Sequence, residues 1–396
     1  MALSDISPRH ADPPMARSIE LICFALVFAH AIYLLASYFL GIWLVQPDGT
    51  GRPADFVNVW AAGRLVLDGN AAAAYDWDIH KAMEEVAIGR RFEGYFGWHY
   101  PPPFLFVAAA LASFPYAPAF AGWVFLTFPA YLAAVRGIVG RRIGYLLAAA
   151  FPAVLSNFVV GQNGFLTAGL MGGTLLLMQR RPVLAGCLLG LMTYKPHLGL
   201  LFPIALAAAG YWRVFFTAAV VATLMAGLSW LAFDGVWEAF FYSIAHTSQA
   251  FLTEGSADWS KLQTTFGLAR MLGASESLAW SLQICVGLPT AVAIVMMWRR
   301  PFPFELKAAA LATGTMLTTP YLYTYDLVVL AVPLAFLFRM GSMSRFLPYE
   351  MASIGFACLL ILAFPFVKVP VGFAAVLVVA ALIARRAMRE HPDTLR

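Results

Sequence analysis

The sequence predicts an all-α, polytopic bundle of about twelve membrane-spanning helices, on three observations. Of 396 residues, 61% are hydrophobic and only 12% are charged, whereas soluble domains carry about 25% charged residues. Apolar runs recur along the whole chain, many of them near the ~20 residues that a span requires. Basic residues punctuate the gaps between them. The net charge of +5 matters less than where the charges lie, and no nucleic-acid partner is expected.

The first apolar run, Leu21 to Val45, follows Arg9 and Arg17. Ala29-His30-Ala31 imitates a signal-peptidase site, but the run continues past it and is long enough to span. It reads as an uncleaved first helix within an apolar segment at 19–45. Further segments are expected at 118–136, 143–160, 164–179, 182–194, 196–210, 212–232, 276–298, 305–320, 326–340, 347–366 and 369–386. Residues 101–114, "PPPFLFVAAALASF", are short and lie between prolines, so they read as interfacial or re-entrant. With both ends cytoplasmic, Lys and Arg divide 17 inside to 9 outside, as the positive-inside rule demands.

Two stretches remain outside the membrane. Residues 46–103 hold eight acids and five basic residues, with an amphipathic helix expected from Asp55 to about Leu67. Residues 233–275 contain "FDGVWEAFF" and "DWSKLQTTFGLARML". No repeat or linker divides the chain, so residues 1–396 form one domain. Gly186 and Gly190 make a GxxxG, read as close helix packing. Cys23, Cys187, Cys285 and Cys358 are scattered through apolar runs, without disulfide or zinc spacing.

Polar residues gather at one end of this topology, in "ADFVNVW" (54–60), "GWHYPPP" (97–103), "NFVVGQNG" (157–164), "TYKPHLG" (193–199) and "TPYLYTYDL" (319–327). Ionisable groups at a membrane boundary are functional candidates by default. Asp55 and Asn58 stand at i and i+3, hence on one helical face, with Phe56, Val59 and Trp60 expected to anchor the helix on the lipid. A first-turn acid can instead serve the helix dipole alone. Lys195 and His197 flank Pro196; the lysine reads either as snorkelling to the headgroups or as a phosphate contact. Gln162 and Asn163 lie between two glycines, where turn chemistry is the plainer reading. Tyr321, Tyr323 and Tyr325 surround Asp326. His99 and Tyr100 precede a proline triplet, and Arg64 and Asp68 read as an exposed pair. No Walker A, H-E-x-x-H or G-x-S-x-G element occurs, against nucleotide-driven pumping and zinc hydrolysis. A transporter or flippase would also explain many spans, but internal halves and mid-bilayer polar groups are not evident.

In order, "DFVNVWAAGRLVLDG", "YPPPF", "GQNG", "YKPHLGLLFP" and "TTPYLYTYDLVVL" resemble glycosyltransferase family 87, over roughly residues 50–330, within the GT-C membrane glycosyltransferases. The resemblance implies a GT-C-like bundle with a catalytic aspartate on the first external loop. It also implies a polyprenyl-phosphate-linked sugar donor, usually mannose, and transfer with inversion to a lipid or glycan acceptor. Asp55 matches the family's general base, Gln162 and Asn163 its GQ-N element, and Lys195 its K-P element. Tyr323-Thr324-Tyr325-Asp326 stands where some members carry a histidine motif. Lys195, His197 and Arg270 become candidates for the departing phosphate, with Gln162, Asn163, Tyr325 and Asp326 on the donor side. Asn58, His99 and Tyr100 fall on the acceptor or loop side. No metal and no cofactor are expected beyond the donor, and the enzyme is placed in the inner (plasma) membrane with its site outside.

Overall fold

A computed structural model describes residues 13–249 and 258–390. Among these the protein is all-helical, with two isolated β-bridges, Val45–Gly51 and Leu262–Tyr323. After α1 (Pro13–Phe39), three short helices fill the loop region: α2 (Phe56–Leu67), α3 (Trp77–Ile88) and α4 (Leu105–Ala112). Next come α5 (Tyr116–Val139), α6 (Ile143–Ala149), α7 (Ala153–Val160), α8 (Gly164–Leu177), α9 (Pro182–Leu191), α10 (Leu201–Ala208) and α11 (Trp212–Ala232). The rest are α12 (Val236–Ser248), α13 (Thr265–Met271), α14 (Glu276–Arg299), α15 (Phe304–Thr318), α16 (Ala331–Ser344), α17 (Glu350–Val367) and α18 (Val371–Glu390).

Among the described residues, seven helices are long and apolar enough to cross a membrane: α1, α5, α11, α14, α17, α18 and Thr324–Ser344, which joins a 3₁₀ turn to α16. The pair α6–α7, bent by 60°, makes an eighth candidate. The other four expected segments are helical but short: α8 has 14 residues, α9 ten, α10 eight and α15 fifteen. Short or broken helices persist at membrane depth only where protein covers their ends, and α15 meets that condition with Leu306 and Ala308 to Leu317 all buried. The outer helices are the reverse. Phe24 and Phe28 on α1, Leu224 and Trp230 on α11, and Ile284 and Leu288 on α14 are exposed. Apolar surface on that scale needs a cover, so the protein is a membrane-embedded helical bundle.

Small residues set the tight crossings. A Cβ at Gly186 would meet the Val214 carbonyl at 2.8 Å, and one at Gly190 would meet the Ala218 carbonyl at 2.8 Å. The GxxxG therefore seats α9 on α11, as its spacing predicts. Likewise Gly63 of α2 lies against the backbone of Ala108 in α4. That crossing overturns the lipid anchor expected for α2: Phe56, Val59 and Trp60 are buried in the protein core, and the Trp60 indole donates to the Phe114 carbonyl at 2.8 Å. Each fully buried large apolar side chain contributes roughly 1.5–3 kcal/mol, so the first turn of α2 is firmly held. Arg64 and Asp68 do form the exposed pair, at 2.9 Å.

Candidate active site

Asp55 precedes α2 and makes no side-chain capping hydrogen bond. Its carboxylate instead accepts from the Gln162 amide at 3.2 Å, so serving the helix end is not its role. Gln162 in turn accepts from the Tyr100 hydroxyl at 3.0 Å. A chain Tyr100–Gln162–Asp55 thus joins three sequence-distant segments. Backbone shape places its middle link. Gly161 ends α7 with φ of 65°, in the left-handed region that a side chain disfavours. A Cβ at Gly164 would strike the Asn157 side chain and the Tyr325 carbonyl. Asn157 clasps both elements, donating to the Tyr325 carbonyl at 2.7 Å and accepting from Gly164 N–H at 3.1 Å.

Asp55 is half-buried rather than in the open aqueous layer that its loop position suggests. Desolvation pushes its carboxyl above the usual range, while the Gln162 amide and the ammoniums of Lys261 and Lys195 pull it down. The outcome suits a proton acceptor, because a weakly solvated carboxylate is a stronger base.

Lys195 does not snorkel. Its Nζ lies 2.5 Å from Asp326, with side-chain exposures of 6% and 2%, and 5.3 Å from the Tyr325 ring centre. The other Asp326 oxygen accepts from Tyr323 N–H at 3.2 Å, and Tyr323 stacks on Tyr325 at 5.5 Å. His197, in the turn Pro196–Leu198, is half-buried beside this pair. Arg270 is engaged at the end of α13, where it donates to the Ala274 carbonyl at 3.0 Å and lies 5.0 Å from the Trp259 ring.

Asn58 donates to the Gly97 carbonyl at 3.1 Å, and its own carbonyl oxygen is buried without a partner. Asn163 is 1% exposed, and neither atom of its amide has a partner. Unmet buried carboxamides are costly and suit a hydroxyl-bearing ligand. His99 is exposed, with its ring lying over Gly97. Tyr100 is more than a loop contact, since it also packs on Phe104, which stacks on Tyr194 at 4.8 Å. Sequence reasoning passed over Lys261 and Asn157. Asn157 stood within the "NFVVGQNG" stretch, whereas Lys261 gave no signal beyond its place in the second loop.

A sequence profile of glycosyltransferase family 87 matches residues 98–320, more than half of the chain, which therefore belongs to that family. The matched region contains Gln162, Lys195 and Lys261 but ends short of Asp55 and Asp326. No curated protein and no solved structure matches the chain.

Proposed function

We propose that this family 87 glycosyltransferase moves a hexose, mannose by its resemblance, from a polyprenyl-phosphate carrier to a lipid or glycan acceptor. Transfer inverts the anomeric centre, with Asp55 as general base, at the external face of the inner membrane. The observation that carries the reading is the Asp55 carboxylate. It is half-buried, free of any capping duty, and held by Gln162. Asp55 takes the proton of the acceptor hydroxyl as that oxygen attacks the sugar. Charge then grows on the sugar ring, as in glycoside hydrolysis, and on the phosphate oxygen as it leaves.

In this reading the short helices α8, α9, α10 and α15 count as spans. That gives twelve crossings, cytoplasmic ends and an external 46–103 region. A recess of about 380 Å³ lined by Phe106 of α4 and by Met225, Leu228, Leu231 and Ala232 of α11 offers room for a lipid tail. Its Phe106 follows two residues after Phe104, which packs on Tyr100. A monophosphate leaving group needs no metal, so a chelator should leave the rate unchanged.

The test is incubation of the purified protein with labelled polyprenyl-phospho-mannose and a membrane lipid extract. A labelled glycolipid is expected, and Asp55→Asn should slow its formation by roughly 10²–10⁴-fold. No product from that donor removes the donor assignment. Wild-type rates in Asp55→Asn remove the base.

A further inference from the structure

We infer that Lys261, not the Lys195 of the K-P element, is the cation that meets the departing phosphate; this deepens the proposed transfer and rests on it. Lys195 is already committed. Asp326 holds it at 2.5 Å within a buried pair, so a phosphate brought against it also meets a carboxylate. Lys261 differs in each respect. Its side chain is 59% exposed, and its acidic neighbour Asp258 is 3.7 Å away and 56% exposed. Asp258 spends its Oδ1 on the Ser260 hydroxyl at 2.6 Å and Ser260 N–H at 3.2 Å, and only its Oδ2 faces Lys261. Such exposed pairs contribute little, which leaves the ammonium available.

The backbone beneath Lys261 is fixed. Leu262 forms a bridge with Tyr323, and Gln263 N–H donates to the Leu322 carbonyl at 2.7 Å. The Gln263 side chain donates to the Ser260 carbonyl at 2.8 Å and accepts from Gly372 N–H at 2.7 Å. The Thr264 hydroxyl donates to the Pro320 carbonyl at 3.1 Å. The turn Trp259–Lys261 is therefore pinned to the strand-like approach to Tyr323, Tyr325 and Asp326. Its charge also acts on Asp55 more strongly than that of Lys195. A long flexible cation on a rigid turn, bridged through Leu262 to Tyr323, suits an oxygen whose charge grows during the step.

The step balances without a further reactant. The acceptor oxygen bonds to the anomeric carbon as the bond from that carbon to the phosphate oxygen breaks. The bonding pair leaves with the phosphate, and the acceptor proton passes to Asp55. Lys261 transfers no proton; its ammonium hydrogen-bonds the oxygen that gains charge.

The test compares Lys261→Gln with wild type in transfer from labelled polyprenyl-phospho-mannose and in inhibition by the product, polyprenyl phosphate. A charged hydrogen bond of ordinary strength predicts that Lys261→Gln lowers kcat by about 10- to 100-fold. It also predicts that inhibition by polyprenyl phosphate weakens by at least about 10-fold, while inhibition by the uncharged polyprenol does not change. Lys261→Gln within about two-fold of wild type in both readouts overturns the assignment and leaves the transfer reaction standing. A lower kcat with unchanged inhibition by polyprenyl phosphate also overturns it, since a merely structural lysine behaves that way. Failure of the wild-type protein to transfer from this donor overturns the assignment together with the reading beneath it.

Discussion

Lys195–Asp326 and Arg386–Glu350 are both buried ion pairs, one near the start of the span Thr324–Ser344 and the other just beyond its end. Arg386 grips Glu350 with two nitrogens, at 2.5 and 2.7 Å. Glu350 also accepts from Leu347 N–H at 2.8 Å. That cluster closes on itself and joins α17 to α18. The Lys195 pair is buried too, but the segments around it keep unmet polar atoms. The lysine uses one donor on Asp326, and unpartnered atoms of Asn163 and Asn58 sit on the elements that carry Gln162 and Asp55. The same desolvation cost is met at both ends, but only one end leaves hydrogen-bonding capacity for something else. Such an imbalance separates polar groups that hold a bundle from polar groups that serve a ligand.

The largest effects come from breaking either pair by one partner. Lys195→Met leaves Asp326 buried alone, and Arg386→Met does the same to Glu350. Each should cost roughly 3–5 kcal/mol, seen as lower thermal stability in detergent and poorer yield. A smaller effect, confined to the Lys195 end, is expected for Gln162→Leu. Losing the amide removes the main influence that lowers the Asp55 carboxyl. A base works deprotonated, so the rate falls as pH drops through its pKa. The acid limb of the kcat/KM profile should therefore move to higher pH, with transfer at neutral pH down by about 10-fold.

The smallest effect sharpens the contrast from outside both pairs. His80 and Glu84 of α3 are wholly buried. Burial lowers His80 from 6.5 to about 3 and raises Glu84 from 4.5 to about 8. Between pH 3 and 6.5 the unfolded chain holds the extra proton on His80, so stability rises with pH there. Between 4.5 and 8 the folded chain holds the extra proton on Glu84, so stability falls with pH. The two contributions give a plateau at about pH 4.5–6.5 and a decline towards pH 8. Glu84→Gln should abolish that decline in a series of melting temperatures.

The sequence made the helices legible but left their neighbours hidden. The helix expected from Asp55 to Leu67 appears as Phe56–Leu67, yet its apolar face packs on protein rather than lipid, because a core-facing and a lipid-facing stripe read alike. The GxxxG at Gly186 needed only local spacing. The turn glycines around Gln162 were equally local, but its contact with Asp55 spans 107 residues, and the Lys195–Asp326 pair spans 131. Periodicity carries no information about such partners. It also could not tell full spans from the shorter α8, α9, α10 and α15, whose apolar runs look alike. Arg270 looked available only because its Ala274 carbonyl and Trp259 ring are invisible without the fold.

The most direct test replaces each pair whole, as Lys195→Met with Asp326→Leu and as Arg386→Met with Glu350→Leu, and measures initial rates of transfer from labelled polyprenyl-phospho-mannose. Apolar replacement of a complete buried pair is often near neutral for stability, so both proteins should fold. The account predicts that the first loses transfer by at least about 100-fold and that the second stays within about three-fold of wild type. Equal rates in the two folded variants, whether both retained or both lost, would contradict it.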